Sequence, residues 1–398
     1  MVTLQQAWDL LKRIELFTNT ETIPISLSSG RVAFKDVVAE FDAPPFTQSR
    51  FDGFALGKST KTSIFKIVTS KAITAGDDGK YLLSDGEAIP IMTGAPIPEG
   101  TRKIVPREMC QVKDKFLYVE KFPRPERMIL KKGADFSKGH IYLKRGEQIN
   151  PIHVAYMALD GRDSVEVFAL PHISVISSGD ELIPSGPKQL KRAKIRNSHP
   201  ALIQALLSHY AIVSYQTHVS DDIEKIKKSL IYALNSDSYV VITTGGMGKG
   251  IKDLTRKALR DLGTIPLFEG INSIPIGTFS CYQYKNKVIF SLPGGMVGVL
   301  LLTKLFISPF IRKIQGWKPH HRVGPFVMAR PLSEIIPLEK KASREMIRFI
   351  KARAWEESGE RWVVPLDSTS LIEMNAFIVL KYNDKHKQKI PVFLLWDR

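Results

Sequence analysis

Apolar and polar positions divide the chain into stretches of different rhythm. Leu4, Ala7, Trp8, Leu11 and Ile14 recur at helical spacing, so residues 1–18 read as an amphipathic helix. Residues 23–42 are mixed, and Ala43-Pro44-Pro45 ends that stretch abruptly. Between 47 and 135, β-rich runs at 63–69, 89–92, 103–107 and 116–119 alternate with Gly, Asp and Pro turns, the pattern of a small all-β unit. Helical patterning returns over 146–160, where Val154, Met157 and Ala158 are apolar. Insertion of one domain into another explains the return.

From 173 the rhythm becomes strand, turn, helix. Strands are expected at 173–177, 212–215, 239–243 and 287–291, with helices at 200–209, 223–234, 254–262 and from 297 to near 314. Alternation at these lengths predicts a parallel sheet covered by helices on both faces, a doubly wound α/β unit. After Gly316-Trp317, a Pro/His-rich link leads to runs at 326–330, 345–354, 362–365, 377–382 and 392–395, a second β-dominated unit.

Composition narrows the function classes. The chain has 398 residues, 43% of them hydrophobic, enough for several cores. The nearest candidate for a membrane span, 296–307, is short of the ~20 residues required and carries Lys304. The opening helix has no signal-peptide character, and two cysteines, Cys110 and Cys281, build neither a disulfide framework nor a zinc cluster. A cytoplasmic protein with no membrane partner is expected. The net charge of +17 favours an anionic partner. The basic residues are scattered, without a zinc finger, an aromatic RNP-type strand or a basic tail, so nucleic acid is not the expected partner.

In doubly wound sheets, ligands bind outside the carboxyl ends of the strands, in loops leading to helix N-termini. Three such loops stand out: Ser177-Ser178-Gly179-Asp180-Glu181, Thr244-Gly245-Gly246-Met247-Gly248-Lys249-Gly250 and Leu292-Pro293-Gly294-Gly295. Glycines let an anion approach the backbone N–H groups. Ordinary turn chemistry explains any one of these loops, whereas three together, with carboxylates beside them, point to a phosphate-and-metal site. The second loop lacks the spacing of a Walker A motif. Glu181 and Asp253 are hard oxygen ligands suited to Mg2+. Helix-dipole stabilisation alone also accounts for Asp253, and N-capping for one of Asp221 and Asp222.

Longer motifs carry a resemblance. The run from Pro44 to Ala55, PPFTQSRFDGFA, resembles the PPFDNSAMDGYA segment of the molybdopterin molybdenumtransferases, the MoeA and gephyrin E-domain family. Met92 to Gly100, MTGAPIPEG, is similar to its MTGAPVPEG. Gly133-Ala134-Asp135-Phe136 resembles its G-x-D-I turn, and Ser178-Gly179-Asp180-Glu181-Leu182 its TGDEL. Thr244-Gly245-Gly246 with Asp253 fits TGG-x-S-x-G-x-x-D, and Leu292-Pro293-Gly294 begins LPGNP. The resemblance runs in order along nearly the whole chain.

It implies four domains: an elongated, discontinuous domain I over 1–46 and 136–170, an inserted β-rich domain II over 47–135, a molybdopterin-binding α/β domain III over 171–317, and a β-barrel-like domain IV over 318–398. It implies a homodimer that uses Mg2+ to cleave adenylylated molybdopterin, inserts molybdate and releases AMP. An adenylyltransferase and molybdoenzyme apoproteins are implied as further partners. Asp52, Thr93, Asp135, Glu181 and Asp253 match catalytic positions, with Glu181 and Asp253 also at the metal. Ser178, Gly179, Asp180, Asp221, Gly245, Gly246, Gly248, Lys249, Pro293, Gly294 and Gly295 fall to substrate binding. Asp52, Thr93 and Asp135 are expected to reach across the dimer.

The chain departs from the family in three places. The lysine-bearing PGKP-type segment is replaced by Gly270-Ile271-Asn272-Ser273-Ile274-Pro275-Ile276-Gly277, which has no lysine. LPGNP-x-S becomes Leu292-Pro293-Gly294-Gly295-Met296-Val297-Gly298. The serine expected in the TGG loop is Gly248, followed by Lys249, a candidate replacement cation. The alternative expectation is a degenerate paralogue that binds molybdopterin or its cofactor as a carrier or insertion partner without transferring metal.

Overall fold

The computed structural model describes residues 1–58, 63–78, 80–186, 190, 192–245, 253–318, 326–332, 346–366, 372–381 and 389–395. Thr3 starts the first helix through a reciprocal capping box. Its hydroxyl accepts from Gln6 N at 3.2 Å, and Gln6 Oε1 accepts from Thr3 N at 2.8 Å. Helix α1 (Leu4–Lys12) is shorter than the pattern suggests, and it buries Ala7 and Leu11 in the α/β core far along the chain. Trp8 stacks on Phe306 with ring centroids 5.2 Å apart.

The chain on either side of 47–135 pairs with itself. Thr20–Pro24 lies antiparallel to Ser164–Phe168, and Val37–Val38 to Ile141–Leu143. Ala33, Leu143, Met157 and Val167 form the core of this region. Between them stands a six-stranded sheet in the order Lys103–Pro106, Gly53–Leu56, Glu87–Ile91, Ile64–Ile67, Phe116–Val119, Cys110–Lys113. All four expected β-runs are strands of it.

The α/β unit contains strands β1 (His172–Ser178), β2 (Ile212–Val219), β3 (Val240–Thr244), β4 (Ile265–Glu269), β5 (Ser273–Ile274), β6 (Ser280–Tyr284) and β7 (Lys287–Leu292). Its helices are α2 (His199–Leu207), α3 (Ile223–Asn235), α4 (Leu254–Asp261) and α5 (Met296–Leu302). The sheet order is β2-β1-β3-β7-β6-β4, with the first four strands parallel. Both faces of β1 are covered: Ile173 and Val175 pack with α1, α2 and α5, and Ile176 packs with α3 and α4. That double burial explains the unbroken apolar runs in the sequence.

The sheet is mixed rather than wholly parallel, because β6 is antiparallel to both β7 and β4. Only Lys285 and Asn286 separate β6 from β7, with Lys285 at φ 53°. A two-residue turn joins antiparallel strands, since a parallel neighbour needs a long crossover.

Strands β8 (Phe326–Pro331), β9 (Ile347–Glu357), β10 (Glu360–Pro365), β11 (Ala376–Lys381) and β12 (Ile390–Leu394) close into a five-stranded barrel, because β9 pairs with both β10 and β11. Ala352, Val363, Ile378 and Val392 fill its interior. Strand β5 runs parallel to the start of β9, with Ser273 opposite Ile347, and joins the α/β unit to the barrel.

Candidate active site

From β1 the chain passes along one face to β2, then returns along the other face to β3. The carboxyl ends of β1 and β3 therefore open a crevice at the point where the winding reverses. Gly245 follows β3 with φ +91°, and a Cβ there would lie 2.2 Å from the Ser178 carbonyl oxygen. Its amide donates to Leu292 O at 3.3 Å, and a Cβ on Gly294 would sit 3.7 Å from its Cα. Thr255 Oγ1 donates to Gly245 O at 3.4 Å, which brings the start of α4 to the same place. All three sequence-predicted loops thus meet at one switch point.

The first loop carries its two carboxylates, Asp180 and Glu181, at the exposed surface. A Cβ on Gly179 would fall 2.7 Å from Glu181 Oε2, so the glycine makes room for that side chain. Asp180 Oδ1 accepts from Asp221 N at 3.0 Å, and Lys194 Nζ donates to the Asp180 carbonyl. His218 Nε2 donates to Gly179 O at 2.9 Å. The Ser178 hydroxyl is buried without a hydrogen-bond partner.

The two capping explanations separate. Asp222 caps α3, accepting from Glu224 N at 2.9 Å and Lys225 N at 3.0 Å, so Asp221 is left to the crevice loop. Asp253 precedes α4, yet its side chain makes no capping hydrogen bond. Its Oδ2 lies 3.2 Å from Arg256 Nε, and its Oδ1 is buried with no hydrogen-bond partner. Burial pushes this carboxyl above its usual range, with the neighbouring Arg256 guanidinium and amide restraining the rise. That amide faces the carboxylate outside hydrogen-bond geometry.

His199, absent from the sequence-predicted set, is buried at the head of α2. Its Nδ1 is 3.1 Å from Thr244 Oγ1, which donates to Ser177 Oγ at 3.2 Å. The threonine proton is committed to the serine, so the imidazole presents Nδ1–H and leaves Nε2 an acceptor. Burial pulls the imidazole pKa down, and Glu181 opposes that shift. A histidine just ahead of the helix expected at 200–209 was the only signal in the sequence.

In the inserted sheet, Asp52 Oδ1 accepts from both Thr93 N and Thr93 Oγ1 at 2.8 Å, and the Thr93 amide holds the carboxyl below its usual range. Asp135 is exposed, with its amide donating to Ala43 O at 2.9 Å. Among the described residues, no hydrogen bond or ion pair joins Asp52, Thr93 or Asp135 to Glu181 or Asp253. Gly246, Gly248 and Lys249 lie outside the described residues. Pro293 is half-buried, Gly294 and Gly295 are exposed, and Gly295 precedes α5 with φ −85°.

The segment in place of the family's lysine loop is structural. Ile271 and Ile276 are fully buried, and Ser273 Oγ donates to Ile347 O in the barrel at 3.0 Å.

Known proteins agree with this architecture. Residues 2–161 match the family described as MoeA N-terminal region (domain I and II), and residues 174–313 match the probable molybdopterin binding domain. The molybdopterin molybdenumtransferase of Staphylococcus aureus (strain MSSA476) is 30% identical over 353 residues, covering 86% of this chain and 81% of that protein. The chain belongs to the molybdopterin molybdenumtransferase family. A second member, from Haemophilus influenzae, is 28% identical over 80% of each chain. The fold of this family member is also that of the moeA protein of Pyrococcus horikoshii OT3, with a TM-score of 0.81, 24% identity, and coverage of 99% of this chain and 100% of that one.

Proposed function

We propose that this chain inserts molybdate into adenylylated molybdopterin in a Mg2+-dependent reaction that releases AMP. One observation carries the reading: Asp253 holds a buried carboxylate oxygen with no partner beside a glycine-lined switch point. Burying such an atom unpaired costs about 1–3 kcal/mol, a cost that a bound cation removes. Asp253 and the exposed Glu181 are hard oxygen donors and would hold Mg2+. Among the described residues no cluster of three acidic, His or Cys side chains forms, so water and phosphate oxygens complete the sphere. The bound ion supplies charge neutralisation at the phosphate being cleaved. Ser178 Oγ offers a free hydroxyl, and Gly245 lets the first two loops approach closely enough to set it at the switch point. In this reading the chain works as a homodimer, and the Asp52–Thr93 pair closes the site of the partner subunit.

The second reading is a molybdopterin carrier without metal transfer. The lysine-free 270–277 segment favours it, since lost cations weaken stabilisation of oxyanion charge. One assay separates the two: purified protein with adenylylated molybdopterin, Mg2+ and molybdate, followed for AMP and active cofactor. Release of both supports transfer, tight binding without AMP supports the carrier, and neither outcome leaves a role in this step. Under the transfer reading, Asp253→Asn and Glu181→Gln each lower the rate of AMP release by ~10²-fold or more.

A further inference from the structure

We propose that Arg256 is the oxyanion-binding residue of this site, held against Asp253 until a divalent cation takes the carboxylate. The inference rests on the transfer reading and names the side chain that meets its anion. The ligand class is a tetrahedral oxyanion, supplied either by a phosphate ester or by molybdate.

Arg256 lies in the first turn of α4, next to Thr255, whose hydroxyl is bonded to Gly245 at the switch point. Its Nε is buried and makes no hydrogen bond, although it sits 3.2 Å from Asp253 Oδ2. The pair is a charge contact without the parallel two-bond geometry that makes arginine–carboxylate pairs strong. One turn further on, Arg260 is engaged differently: Nε donates to Glu269 Oε1 at 3.2 Å, and Nη2 donates to Glu269 Oε2. Tyr282 donates to the same carboxylate at 2.8 Å. Arg260 is therefore hydrogen-bonded into the fold, whereas Arg256 meets Asp253 and Glu269 as charges alone. Residues 270–277, tied to the barrel through Ser273, carry no lysine or arginine and have no cation to offer.

Coupling follows from the shared carboxylate. Without a cation, Asp253 neutralises Arg256 and weakens its hold on an anion. Asp253, with its charge shared by a bound cation, would hold Arg256 less tightly and leave the guanidinium to an anion. Cation and oxyanion then strengthen each other's binding by the same factor.

Titration calorimetry on the full chain tests this with Mg2+ alone, and with pyrophosphate or molybdate in the presence and absence of Mg2+. In the wild type, Mg2+ tightens oxyanion binding. Arg256→Met weakens the Mg2+-dependent binding by about tenfold to a hundredfold. The same variant binds Mg2+ alone at least as tightly as the wild type, because the competing charge is gone. Arg256→Lys is intermediate, since it keeps charge without the fork, and it decides the matter if thermal unfolding shows the methionine variant misfolded. A loss confined to pyrophosphate assigns Arg256 to the phosphate ester, and one confined to molybdate assigns it to the incoming oxyanion. Anion affinity within twofold of wild type in Arg256→Met, or an equal loss in Arg260→Met, overturns the inference while AMP release leaves the transfer reading standing. A wild type that binds neither anion and releases no AMP removes both.

Discussion

Gly245→Ala tests how tightly the three strand ends are joined. The added Cβ would lie 2.2 Å from the Ser178 carbonyl oxygen and 3.2 Å from its hydroxyl, so one side must move. Ser178 cannot recede alone, because it is paired with Val219 of β2 at the end of a seven-residue parallel ladder. The left-handed φ of +91° adds roughly 1–2 kcal/mol for any L side chain. Overpacking against fixed backbone adds roughly 1–3 kcal/mol. Together these predict a loss of ~2–5 kcal/mol in the stability of the α/β unit. Urea unfolding followed by tryptophan fluorescence reads it, because Trp8 packs against that core and stacks on Phe306. Gly295→Ala is the matched control: nothing lies within 4 Å of its Cβ and its φ is negative. There the poorer N-cap and the reduced chain entropy offset each other to within about 1 kcal/mol. If Gly245→Ala unfolds within ~0.5 kcal/mol of the wild type, the strand ends are free to separate and the close approach has no energetic meaning.

Three further predictions rest on single contacts. His199→Asn keeps a donor near the Nδ1 position and should stay close to the wild type in melting temperature and KM, while His199→Gln should lose about 0.5–1.5 kcal/mol of stability; equal losses in both would remove the tautomer argument. Lys287 Nζ donates to Ser236 O at 2.6 Å and Ser238 O at 2.5 Å, and burial lowers its pKa. Its unfolded form holds the proton longer, so the stability difference between wild type and Lys287→Met should widen as pH rises from 7 to 10, and a constant difference refutes the shift. Asp52 has a folded pKa below its unfolded value, so the stabilisation it gives the Thr93 turn is fully present above ~pH 4 and is lost as pH falls through the lower folded value. The unfolding difference between wild type and Asp52→Ala should accordingly be flat from pH 5 to 8, and a slope there would contradict it.

Strands buried on both faces were the most legible part of the chain: 173–177 and 287–291 emerge as β1 and β7 with one extra residue at one or both ends. The β4–β6 pair was missed, because Ile265-Pro266 and Cys281-Tyr282-Gln283 show neither strict alternation nor an apolar run. The reversal that sets β6 antiparallel to its neighbours comes from the two-residue turn into β7, which hydropathy does not register. Within the site, glycine loops and carboxylates were visible as motifs, and the structure gathers three loops at one point. What the sequence left open was the choice between capping and ligand binding at the aspartates. Asp222 and Asp253 both stand just before helices, and only side-chain orientation distinguishes a satisfied cap from an unpaired buried oxygen. His199 was illegible for a similar reason, because its meaning depends on a partner 45 residues away that no spacing rule connects.

The packing of α1 also bears on how the chain is made. Ala7 and Leu11 are covered by residues around Phe306, and Val2 donates to Gly270 O while accepting from Asn272 N. Ribosomes add ~5–20 residues per second, so roughly 15–60 s pass between the emergence of this helix and that of its covering residues. Meanwhile the six strands between 53 and 119 have all their pairing partners within reach and can close first. The apolar stripe of α1 therefore gains its cover from Phe306 only after most of the chain has been made.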